Sequence, residues 1–282
     1  MANGKWPVAD GNNGGHTRYA IRYLPIAICY NSTVPTPFNH LVLARQLLNS
    51  SGLSPAVCAA LAAEWPAFLF GNIAPDAQTV SGQPREATHF FPVPLGDAPP
   101  AHEALFARHP ELARPDHLPP ARAAFLSGYL AHLELDQLWI SDIFDPVFGP
   151  RQTWGNFRER LYLHNVFRAH WDAQDLPRLP LSTGDGLRAA RPANWLPFVG
   201  DGHLQRWRDL VADQLAPGAA ARTVEVFARR MGADPAAFAA LVNSPAEMER
   251  RVFARVAPAR LAQFCADGLA RCAERIHAYF NP

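Results

Sequence analysis

The chain lacks most of the features that settle a protein's class early. It has only four cysteines in 282 residues, at Cys29, Cys58, Cys265 and Cys272. They form no CxxC pair, so neither a thiolate zinc knuckle nor a disulfide-stapled scaffold is indicated. Cys265 and Cys272, on one expected helix, read as buried thiols. Charge of either sign is in short supply, with a formal net charge of +1. That balance gives no footprint of a broad nucleic-acid surface. No apolar run approaches the roughly 18 residues of a membrane-crossing helix. A signal peptide is also missing: residues 1–18 are polar and Gly/Asn-rich and read as a flexible leader. The apolar segment Tyr19–Tyr30 is interrupted by Arg22 and Pro25 and lies too far in for a secretory core. The expected location is therefore the cytoplasm. There is no internal repeat, and no GxGxxG, P-loop, GxSxG or HExxH motif.

What is present is a core-forming composition, 49% apolar and 18% charged, and length for one large domain or two small ones. The 27 prolines fall mostly between periodic segments, the pattern of many helices cut by rigid connectors. Thr36-Pro37 opens a helix with Leu41, Ala44, Leu47 and Leu48 on one side, His40 in its first turns and Gly52 at its end. Ser54-Pro55 opens the next, from Ala56 to about Glu64, and Trp65-Pro66 breaks it. An apolar run from Phe68 leads into Pro75-Asp76, where the chain leaves the core and Asp76 reads as a turn or N-cap residue. His89 follows Arg85-Glu86-Ala87-Thr88 and precedes Phe90-Phe91. Residues 92–120 are proline-rich, with His102, His109 and His117 expected in solvent. A central helix is predicted from about Ala121 to Ile140, ending in a loop at Asp142, Asp145-Pro146 and Gly149-Pro150. Another spans about Trp154 to Asp172, with His164, Arg168 and Asp172 on one face. Residues 173–202 read as a Pro/Gly-rich connector containing Trp195. The remainder reads as three or four Ala-rich helices. The last, from about Ala259 to Phe280, has Leu261, Phe264, Leu269, Cys272, Ile276 and Phe280 as its core face. The expected organisation is thus all-α, with a core at 19–172 and C-terminal helices at 173–282 packed on the same domain.

The central helix carries the first chemical signal. His132 and Asp136 are four apart, so their side chains share a face, roughly 5–6 Å apart at Cβ. Tyr129 and Trp139 extend that stripe, and Leu126, Leu130, Leu133 and Leu138 surround it. A carboxylate buried there is costly unless it is paired or binds a metal. The plain alternative is a core histidine hydrogen-bonded to an aspartate one turn away. Asp76, His89, His132 and Asp136 are all ligand types set in apolar or aromatic contexts. Two imidazoles and two carboxylates suit zinc or a similar first-row metal.

The order Gly71-Asn72-Ile73-Ala74-Pro75-Asp76, then Thr88-His89-Phe90, then Phe125 through His132 to Asp136 resembles the bacterial zinc-dependent phospholipase C family. That family is an all-helical relative of the single-strand-specific zinc nucleases. The matching spans lie between about residues 36 and 172. The resemblance implies a multi-helix bundle in which Asp76, His89, His132 and Asp136 hold one zinc. Asp136 would bridge to a second zinc, to which His40 contributes. It further implies a water between the metals as nucleophile, an in-line displacement at phosphorus, and Asp76 and Asp136 as the catalytic carboxylates. The substrate would be a small phosphodiester or a phospholipid headgroup.

Two departures stand against that pattern. Best-known members complete one metal site with a processed N-terminal amine, whereas His40 here follows a long N-terminal stretch. The family's third metal takes a His followed four residues later by Glu, plus a further His. This chain has His164 and then Arg168, with Asp142 and Asp145 where the further His is expected. Arginine cannot ligate zinc, so a third metal is not expected. Arg168 could instead hold a phosphate bidentately, or pair with Asp172 or Asp142. His164, Arg168, Asp172, Asp142 and Tyr129 are accordingly candidates for the substrate shell. A metal-dependent phosphoric-ester hydrolase with one or two zinc ions is the leading expectation. A non-catalytic protein with one structural zinc, and a metal-free partner-binding helical domain, are the alternatives.

Overall fold

The computed structural model describes residues 34–281, so the leader at 1–18 and the Tyr19–Tyr30 segment lie outside the described residues. Among the described residues every regular element is helical. In chain order these are α1 (Pro37–Leu48), α2 (Pro55–Ala63), α3 (Trp65–Gly71), α4 (Gln78–Ser81), α5 (Glu86–His89), α6 (Ala101–Arg108) and α7 (Pro120–Trp139). They continue as α8 (Phe157–Asp175), α9 (Thr183–Ala189), α10 (Asp201–Gln214), α11 (Thr223–Met231), α12 (Pro235–Val242), α13 (Pro245–Met248) and α14 (Pro258–Phe280). No helix among the described residues is long and apolar enough to cross a membrane.

The prolines mark where helices begin. Pro37, Pro55, Pro120, Pro235, Pro245 and Pro258 each sit in a first turn. There the missing N–H removes no intrahelical bond and the fixed φ is already helical. Ser54, Asn156, Asp234 and Ser244 add side-chain caps, each satisfying an otherwise orphaned backbone donor.

The axis of the molecule is α7, buried on nearly every face from Ala123 to Trp139. On one side it meets α3 at backbone distance. A Cβ on Gly71 would lie 2.0 Å from the Phe125 carbonyl oxygen, and one on Gly128 would lie 2.3 Å from that of Phe68. Only two glycines permit that crossing. On another side α14 crosses α7 through Gly268, whose absent Cβ leaves room for Leu135. Near its C-terminal end, Trp139 stacks on Trp171 and Phe167 of α8 and meets Phe264 of α14 edge-on. Aromatic contacts of this geometry add to simple area burial.

Four local expectations change. The central helix does not end in a loop: it runs on as a π-helical segment, Ile140–Phe148. Ile143, Phe144, Val147 and Phe148 are buried there, so the backbone must stay internally bonded. Pro146, with no N–H to give, is accommodated by the wider turn. The 92–120 stretch contains α6, and two of its histidines are not in solvent. His102 is largely covered, and burial, then Arg275, pulls its pKa down to about 4. His109 packs against Phe198 and Phe90, while His117 is exposed. The 173–202 connector contains α9, and its Trp195 is buried against Phe125 and Phe70. On α14 the buried positions are Phe264, Gly268, Cys272, Ala273, Ile276 and Tyr279. Leu261, Leu269 and Phe280 lie at the margin of that face, and Cys265 is only partly buried.

Candidate metal centre

Asp136 is the hub. Its carboxylate is fully buried and has a basic side chain on every side. His40 Nε2 lies 3.3 Å from Oδ1. His89 Nε2 and His132 Nε2 each lie 3.4 Å from Oδ2, and an Arg85 guanidinium nitrogen lies 2.7 Å from the same oxygen. Asp76 Oδ1 sits 3.6 Å from His89 Nε2. The rings of His40 and His132 stack at 3.9 Å. Two sets of three ligand atoms, His40–His132–Asp136 and Asp76–His89–His132, each fall within 4.8 Å of one another. The structure therefore brings together all five residues expected as metal ligands, although they come from distant parts of the chain.

Each ligand is aimed by its own element. The α3–α7 glycine crossing puts the Asn72 carbonyl 2.8 Å from His132 Nδ1. That contact places the ring proton on Nδ1 and leaves Nε2 with a lone pair toward Asp136. The Trp207 indole N–H donates to the Ile73 carbonyl at 2.7 Å and pins the turn (Ala74–Ala77) that carries Asp76. His89 ends the short α5, and its Nδ1 lies 3.3 Å from the Arg85 carbonyl and 3.0 Å from the Thr88 hydroxyl. Tyr129 donates its hydroxyl proton to the Thr88 carbonyl, so it steadies the His89 segment and does not itself touch the cluster. Phe90 follows at φ 64°, a left-handed backbone unfavourable for a bulky residue. Strain of this kind beside a ligand is held by surrounding contacts, here Phe198 and Arg108 on the ring. His40 is carried by α1, whose start is fastened to α8. The Thr36 hydroxyl donates to Asp172, and the Asn39 amide donates to Asp175 at 3.1 Å.

The arrangement could hold a cation. His40 Nε2, His89 Nε2, His132 Nε2 and Asp136 Oδ1 are buried and have no hydrogen-bond partner among the described residues. Imidazole lone pairs facing carboxylate oxygens at these distances repel unless positive charge lies between them. Burial opposes protonation of His132, but Asp136 overrides it and raises the pKa. Burial, then the proximity of His132, lowers His40. Burial and Arg85 hold His89 down to about 4, so it is neutral at pH 7. Burial would raise Asp136 and Asp76, yet the surrounding imidazoles, with Arg85 at Asp136, keep both below the usual carboxylate range. His40 and His89, shifted toward the neutral form, and the two ionised carboxylates suit a divalent metal, which would displace any proton on His132. The donor set of nitrogen and oxygen suits a first-row ion.

Asp76 is also the way out. It lines a cavity of about 280 Å³. Apolar walls come from Phe38, Trp207, Val211 and Phe227, and positive charge comes from Arg168, Arg222 and Arg230. The Arg168 guanidinium is buried, lies 4.5 Å above the Phe227 ring and donates to Asn165 at 3.0 Å. Burial lowers its pKa to about 9, which leaves it protonated at neutral pH. Leu210 and Val226, both exposed, also line the cavity.

The remaining expected site residues lie outside the cluster. His164 is buried among Phe144, Phe148 and Trp139 and accepts a 3.0 Å bond from the Trp139 indole. Asp172 accepts from the hydroxyls of Thr36 and Thr223. Asp142 is partly exposed and bonds Ser141.

Sequence reasoning passed over Arg85, although its one-turn spacing from His89 was a usable signal. It also gave no role to Arg222 and Arg230, which the Ala-rich final third brings to the cavity. Comparison of the chain with protein-family models, curated proteins and solved structures finds no match.

Proposed function

We propose that the protein is a metal-dependent hydrolase of phosphoric esters, similar in chemistry to the zinc-dependent phospholipases C. One observation carries the reading. A buried cluster of three imidazoles and two carboxylates, with His40, His89 and His132 Nε2 and Asp136 Oδ1 unpartnered among the described residues, opens through Asp76 onto a cavity bearing three guanidinium groups. The first half is a metal-ligand set, and the second suits a phosphate.

His89, His132, Asp76 and Asp136 would hold a divalent ion such as zinc, with His40 on the far side of Asp136. When bound, the ion would polarise a phosphoryl oxygen and acidify a water. The chain's own residues do the rest. The Asn72 and Arg85 carbonyls fix the tautomers of His132 and His89. Asp76, ionised at neutral pH, faces both cluster and cavity. A carboxylate this acidic is a weak proton acceptor, which favours ligation over general-base work. Arg168 neutralises phosphate charge, and Arg222 and Arg230 draw anions toward the opening.

A structural ion without catalysis is the second reading. It is favoured by the complete burial of His40, His89, His132 and Asp136, with only the Asp76 side chain, at 15%, reaching solvent. Hydrolysis of a chromogenic phosphodiester by metal-loaded protein, with and without chelator, separates the two. Chelator-sensitive turnover lost in Asp136→Asn supports the hydrolase. Full metal occupancy with no turnover on any phosphoester supports the structural ion.

A further inference from the structure

The two ligand triads share His132. One imidazole nitrogen has one lone pair and can serve one ion, so the triads are alternatives unless other groups complete a second site. Among the described residues Asp136, with Oδ1 near His40 and Oδ2 near His89 and His132, is the carboxylate placed to bridge two ions, and Oδ2 is already engaged. Arg85 lies 2.7 Å from Oδ2, is 3% exposed, and is clamped 4.5 Å above the Phe91 ring. A guanidinium so placed is a fixed positive charge inside the cluster. With the imidazoles neutral, as metal ligation demands, Asp76 and Asp136 against Arg85 would leave a net charge of −1. A single dication would bring the site to +1, whereas a second would bring it to +3 around the fully buried Asp136 carboxylate.

We infer that Arg85 stands in place of a second metal ion, so that the centre holds one divalent cation through His132 while the guanidinium balances and anchors Asp136. The inference rests on the cluster being a metal centre. Arg85 is a positioning residue that sets the number of ions and the orientation of the hub carboxylate.

The test counts metal. Untagged full-length protein is saturated with zinc, dialysed, and analysed by elemental and native mass spectrometry. The expected result is one equivalent in the wild type and one in Arg85→Lys. Arg85→Gln should accept a second equivalent at least tenfold more tightly than any second ion bound by the wild type. Two equivalents in the wild type, one of them removed by His40→Ala, would overturn the inference and leave the hydrolase reading intact. A count of one in Arg85→Gln with unchanged affinity for further zinc would also overturn it. No bound zinc in the wild type would overturn the metal centre itself. Should Arg85→Gln fail to fold, the wild-type count and its response to His40→Ala still decide.

Discussion

Two histidines beside α7 are equally buried and have opposite fates. His132 and His164 both show no exposed surface. His132 faces Asp136, and that carboxylate raises its pKa in spite of burial. His164 sits in an aromatic nest and accepts the Trp139 indole proton. Burial and then Arg168 drive its pKa well below the usual value. Burial alone therefore says little about a histidine's job. The group facing one ring nitrogen, an indole N–H at His164 Nε2 and a carboxylate at His132 Nε2, separates a core histidine from a candidate metal ligand.

The sharpest way to break this comparison is to remove one member of each side. His132→Ala or Asp136→Asn should retain under a tenth of an equivalent of zinc by elemental analysis and lose phosphodiesterase activity by roughly 100-fold or more. His164→Ala should keep full metal occupancy and pay only in stability. Stoichiometric zinc in both cluster variants would remove the metal assignment. Next in size is the contribution of the ion to folding. At saturations near a thousand times Kd, a ligand stabilises by about 4 kcal/mol. Chelation should therefore lower Tm by roughly 10 °C, in wild type and His164→Ala but not in His132→Ala. Gly128→Ala probes the scaffold that aims His132. Its new Cβ would strike the Phe68 carbonyl, at a cost of about 2–3 kcal/mol, and zinc affinity should fall with it. His164→Ala should cost about 2–4 kcal/mol, from a cavity and an unpaired indole N–H, measurable by urea denaturation.

The smallest effect is expected beyond both histidines, at Asp172. Burial raises its pKa to about 7, so between about pH 4 and 7 the folded state binds more protons than the unfolded chain. Stability must then fall as pH rises through that window. Asp172→Asn should therefore gain on wild type in Tm at pH 8 and lose that advantage near pH 4. A constant difference across pH would show that Asp172 titrates normally.

Much of the architecture was readable from local chemistry. Proline at helix starts, serine, asparagine and aspartate caps, and the leucine periodicity around His132 act over three or four residues, so they survive translation into structure. The π-helical extension past Ile140 was not readable, because it depends on the burial of Phe144 and Phe148 by other helices. The order of Pro75-Asp76, His89 and His132-x-x-x-Asp136 pointed to residues that do converge. Residue type and spacing could not assign His164, because its partner is Trp139 across the α7–α8 contact. Arg85 offered only its one-turn spacing from His89; its target, Asp136, lies 51 positions away.

By itself the sequence determined a helical fold for the described residues, several proline-marked helix starts, and a small set of imidazoles and carboxylates whose residue types could hold a metal. These follow from backbone propensity and side-chain type, which each residue carries wherever it goes. Only the tertiary structure decided that a glycine-to-glycine crossing would aim His132 at Asp136, that Arg85 would sit inside the cluster, and that arginines from the final third would face Asp76. Those outcomes depend on distances between groups remote in the chain. Electrostatics is settled by such distances, and beyond the i, i+4 pairing of His132 with Asp136 no local pattern encodes them.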